Sequence, residues 1–123
     1  MPVEYKVDHA SSLVRLELTD PLSEDHVAET VQRLRADPDL RPGLNILSDH
    51  SGLKFVATTE LAKSIPQLLS GLTELLGPFR CALVVPNDAS YGMGRMAEAF
   101  SARIRSELRP FRSVAEAEAW LRS

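Results

Sequence analysis

Apolar and polar residues alternate over Val3 to Val7, and again over Leu13 to Leu18. In the second run Val14, Leu16 and Leu18 share one side, and Arg15 and Glu17 the other. A two-residue period is that of a half-buried strand, and His9-Ala10-Ser11-Ser12 between the runs predicts a hairpin. After Asp20-Pro21 the period changes. Val27, Val31 and Leu34 recur at helical spacing, behind Ser23 as N-cap, with Glu24 and Asp25 in the first turn and Arg33 and Arg35 in the last. Leu44 to Leu47 predicts a short buried strand emptying into a polar loop, Ser48 to Gly52. A long helix is expected from caps at Thr58 and Thr59 through Leu76, with Pro66 as a kink or a break and Gly77-Pro78 as the stop. Phe79 to Val85 is apolar on both faces, as a central strand covered on both sides would be. Pro86-Asn87-Asp88 opens a helix with Met93, Met96, Ala97, Phe100 and Ile104 as its inner stripe. A strand near Leu108 to Arg112 follows. Ser113, with Glu116 three residues on, caps a last helix anchored by Trp120 and Leu121.

The order β-β-α-β-α-β-α-β-α predicts one α/β domain over residues 1–123. Its mixed sheet should be mostly parallel, with the first strand antiparallel and right-handed crossovers after the hairpin. Composition agrees: 123 residues, 44% hydrophobic and 25% charged, leave disordered and coiled-coil classes behind. The net charge of −3 and the lack of any Lys/Arg run argue against nucleic acid as main partner. One cysteine, Cys81, allows no intrachain disulfide and suits a reducing, cytoplasmic compartment. Residues Met1 to Asp8 carry no signal-peptide core, and no run reaches the ~20 apolar residues of a membrane span, so membrane insertion is not expected.

Two segments narrow the fold. Tyr91-Gly92-Met93-Gly94-Arg95-Met96-Ala97-Glu98-Ala99-Phe100 and Phe111-Arg112-Ser113-Val114-Ala115-Glu116-Ala117-Glu118-Ala119-Trp120-Leu121 resemble the C-terminal half of short bacterial SpoIIAA-like proteins. The element order is likewise similar to that of the STAS domain of anti-sigma-factor antagonists and sulfate-transporter tails. The resemblance implies a SpoIIAA-like fold. In those antagonists an Asp-Ser-Ser-Gly segment at the start of the second main helix carries a phosphorylated serine. The matching segment is Ala57-Thr58-Thr59-Glu60, which puts Thr59, with Thr58 beside it, at the phospho-acceptor position. It departs from the pattern in lacking the flanking Asp and Gly, and Glu60 would repel a phosphate.

Candidate chemistry lies in two loops and one helix. Asp49-His50-Ser51 has the residue types of a hydrolase triad, but neighbours on one chain point apart, so no catalytic residue is expected there. Loops at the carboxyl ends of parallel strands are where α/β sheets bind ligands. A site for an anion or small molecule is therefore expected from Asn87, Asp88, Ser90, Tyr91, Gly92, Gly94 and Arg95, with Asp49 and Ser51. A full glycine fingerprint and a P-loop lysine are missing. His9, His26 and His50 share no metal-ligand spacing, so neither metal nor cofactor is expected, and Cys81 reads as a small buried hydrophobe. The second main helix has a stripe of Leu61, Ile65, Leu68, Leu72, Leu75 and Leu76 that Ala62 and Leu69 widen beyond what a core needs. Phe55, Val56, Ala62 and Leu69 are therefore the expected surface for a protein partner or a second copy. The expected function is a non-enzymatic, STAS-like binding or regulatory module working through protein–protein contacts. The alternative is a carrier of a small lipophilic or anionic ligand using the strand-end loops, followed by a phospho-regulated antagonist.

Overall fold

In the computed structural model, which describes residues 2–54, 69–101 and 106–123, the two alternating runs form an antiparallel hairpin. β1 (Val3–Asp8) pairs with β2 (Leu13–Thr19) from Val3 opposite Leu18 to Asp8 opposite Leu13. α1 (Glu24–Arg35) begins at Ser23, whose hydroxyl accepts the His26 amide, while the His26 ring accepts the Ser23 amide at 3.1 Å. This is a reciprocal capping box with histidine in the usual place of glutamate. There follow β3 (Asn45–Gly52), α2 (Thr73–Leu76), β4 (Arg80–Val84), α3 (Asp88–Phe100), β5 (Glu107–Phe111) and α4 (Val114–Arg122). The sheet order is β1-β2-β3-β4-β5, parallel from β2 onwards.

That sequential order decides how the two faces are covered. Right-handed crossovers between neighbouring parallel strands place their helices on the same side. Accordingly Val31 and Leu34 of α1, Leu76 of α2 and Ala97 of α3 join one apolar cluster with Val14, Ile46, Cys81 and Leu83. The other face is closed by α4, whose Ala117 and Leu121 pack on Leu13, Leu47, Ala82 and Val84. Its hydroxyl cap at Ser113 accepts the Glu116 amide at 3.0 Å.

Four expectations need correction. Ser48 to Gly52 is strand rather than loop: β3 runs on to Gly52 because β2 pairs with it, Leu16 with Ser48 and Glu17 with Asp49. The expected helix to Leu76 is interrupted by a turn at Gly71-Leu72, glycine being a poor helix former, and only the single turn of α2 follows it. Leu69, expected on a partner surface, is 8% exposed and belongs to the core, while Phe100, expected inside, is 39% exposed. Pro66 and Ile104 lie outside the described residues.

Gly94 sets how closely α3 approaches β5. A Cβ there would sit 2.6 Å from the Cβ of Pro110 and 3.2 Å from its Cγ. Gly94→Ala should gain about 1 kcal/mol of helix propensity. It should lose more than that to overpacking against a rigid ring. We expect a net loss of about 1–2 kcal/mol in urea unfolding; a stabilised Gly94→Ala would show that α3 shifts freely.

Candidate functional site

Period-2 alternation turns Ile46, Ser48 and His50 of β3 toward the face that α1 covers, and Asp49 and Ser51 toward the other. Between that part of β3 and α1 lies a cavity of about 70 Å³. Its walls are mainly aliphatic, with Leu18 from β2, Val27 and Val31 from α1, Leu83 from β4, and Leu22 and Leu53 at strand ends. Among the described residues four polar side chains reach it: Thr30, Ser48, His50 and Cys81.

Each of the four is uncharged at neutral pH. The Ser48 hydroxyl and His50 Nε2 are 2.9 Å apart. Burial among apolar groups pushes the imidazole pKa down to about 4, only weakly opposed by the Asp49 carboxylate. Burial likewise pushes the Cys81 thiol up to about 12, so its nucleophilic thiolate is suppressed. The Thr30 hydroxyl donates to the His26 carbonyl at 2.8 Å. Ser48 and His50 are the residue types of a nucleophile and base, but an imidazole so hard to protonate is a weak base. Among the described residues no side chain holds its Nδ1 as a triad orienter would.

The expected loop site is internally committed. Asn87 Oδ1 accepts the Ser90 amide at 2.8 Å as the cap of α3. Asp88 pairs with the Arg112 guanidinium, which also donates to the Pro86 carbonyl at 3.2 Å. Arg95 pairs with Glu98 at 3.2 Å. Tyr91 and Gly92 are exposed, and Gly94 is packed against Pro110. Ser51 donates twice to Asp49, from its amide at 2.9 Å and its hydroxyl at 2.6 Å. The residues of Asp49-His50-Ser51 thus divide between two faces of the sheet. Phe55, Val56, Ala62, Thr58 and Thr59 lie outside the described residues. The pairing of Ser48 with His50 is hidden as long as the segment reads as a loop; carrying the strand period two residues further brings them together. Among the described residues no group of three or more His, Cys, Asp or Glu side chains could hold a metal, and no helix is long and apolar enough to cross a membrane.

An antiparallel first strand, four parallel strands in sequential order and a closing helix on the second face define an α/β domain of the SpoIIAA-like, or STAS-like, fold. It is similar to the crystal structure of an uncharacterised DUF3478-family protein with a SpoIIAA-like fold from Shewanella loihica PV-4. The likeness has a TM-score of 0.64 over 97% of this chain and 91% of that one, at 16% identity. No protein-family model matches the chain, and no curated protein matches it in sequence.

Proposed function

We propose that this protein is a non-enzymatic binding module whose ligand is a small, uncharged molecule with an apolar body and one hydrogen-bonding group. The observation that carries the reading is the cavity itself: aliphatic walls with the neutral Ser48–His50 pair set into them. A charged ligand would lose its hydration there without gaining a counter-charge from the described lining residues. The volume of about 70 Å³ favours a short alkyl chain, since an engineered cavity of about 150 Å³ holds benzene. This moves the carrier reading from the strand-end loops to the β3–α1 cavity. The single cysteine, buried and unpaired, supports a reducing, cytoplasmic home.

An amide-resolved NMR titration with 1-butanol tests it. Saturable shifts at Ser48, His50, Val31 and Leu83 are expected, and weaker ones in Cys81→Leu, which fills the cavity. Shifts confined to exposed residues, or unchanged by Cys81→Leu, would remove the proposal. Native mass spectrometry of protein from its own host separates it from the protein–protein reading: a small added mass supports a ligand, and a second polypeptide supports a partner.

A further inference from the structure

The hairpin leaves β1 as one edge of the sheet and β5 as the other. β5 carries Pro110, which has no amide to offer, a common way of blunting an edge. β1 has no proline between Val3 and Asp8. The direction of its free backbone groups follows from one bond, the Thr19 amide donating to the Pro2 carbonyl at 2.8 Å. In an antiparallel ladder residues alternate between bonding the neighbour and facing away. Glu4, Lys6 and Asp8 therefore bond toward β2, and the amides and carbonyls of Val3, Tyr5 and Val7 face outward.

The segment Val3-Glu4-Tyr5-Lys6-Val7 is complementary to itself when run antiparallel about Tyr5. Val3 then meets Val7 of the partner subunit, and Tyr5 meets the partner's Tyr5, so all three outward residues find outward partners. Glu4 falls opposite Lys6 of the partner subunit in the non-bonded position, where side chains stand closest. Both side chains are exposed, on the face where α4 packs over β3, β4 and β5. Among the described residues neither is in an ion pair within the monomer. Other registers do worse. Centring on Lys6 or on Glu4 sets like charges face to face. Centring on Val7 would need Asp8, which Arg15 holds at 3.0 Å.

We propose that β1 pairs antiparallel with β1 of a second copy, Tyr5 against the partner's Tyr5 on the two-fold axis, joining the two sheets into one. The inference is independent of the cavity.

Sedimentation equilibrium on the full chain at low salt tests it through charge exchange. The wild type should show a concentration-dependent dimer. Glu4→Lys and Lys6→Glu should each raise its dissociation constant roughly tenfold or more, because each places like charges opposite twice. The double variant should return close to wild type. An equimolar mixture of the two single variants should form a heterodimer, since it regains both opposite-charge pairs. Circular dichroism should be unchanged, both positions being exposed. A monomeric wild type, single variants that dimerise like wild type, or a mixture that forms no heterodimer would each overturn the proposal.

Discussion

Lowering the pH from 6.5 to about 4 should weaken the fold by about 3 kcal/mol through His50 alone. The unfolded chain takes up a proton near pH 6.5, whereas the folded imidazole resists until about 4. Within that window the unfolded state binds more protons, so stability falls as pH falls, by about 1.4 kcal/mol per pH unit. Well above pH 6.5 both states are neutral and the contribution is constant. The carboxylates act lower. Asp8 is held below its ordinary value first by its hydrogen bond with Arg15, and Asp37 by the Asp39 amide and the Tyr5 hydroxyl. Their loss on acidification therefore begins where the histidine effect is ending. Urea unfolding between pH 7.5 and 4 of wild type and His50→Gln isolates the effect, because glutamine keeps a hydrogen-bonding group without titrating. Equal slopes for both proteins would place His50 in a far wetter setting than its walls imply.

Trp120→Ala should cost about 3 kcal/mol, the low end for removing a large aromatic because the ring is only partly buried. α4 is the helix that closes the second face, and Trp120 is where it is fastened. The guanidinium of Arg80 lies 5.3 Å from the ring centroid and that of Arg109 5.0 Å, with the Phe111 ring tilted against it at 5.5 Å. Arg80 also donates to the Trp120 carbonyl at 2.8 Å, and Asn45 to that of Leu121 at 3.3 Å. Losing the ring removes apolar burial and both cation–π contacts at once, the latter worth about 0.5–1 kcal/mol each at such sites. Arg109→Ala should therefore cost no more than about 1 kcal/mol. Denaturant midpoints for the two variants check this. A loss below about 1 kcal/mol for Trp120→Ala would mean that Ala117 and Leu121 hold α4 without it.

Elements with a strong local signal are legible in the residue pattern alone. The hairpin, the Ser23 and Ser113 caps, the Asn87 opening of α3 and the apolar β4 all stand where periodicity and capping chemistry put them. Local interactions determine those elements, because a cap or a two-residue alternation is satisfied within a few residues of itself. The errors fall where a distant partner decides. Ser48 to Gly52 is polar enough to read as a loop, and it becomes strand because β2 supplies its ladder. That pairing is also what separates Asp49 and Ser51 from His50 and joins His50 to Ser48. Leu69 has the same side chain inside or outside; only the packing of the chain against β3 and β4 decides its burial. The residues of the candidate site are therefore visible in the sequence, but not their grouping. Which face a side chain takes, and what dielectric it meets there, are set by strands and helices far away in the chain.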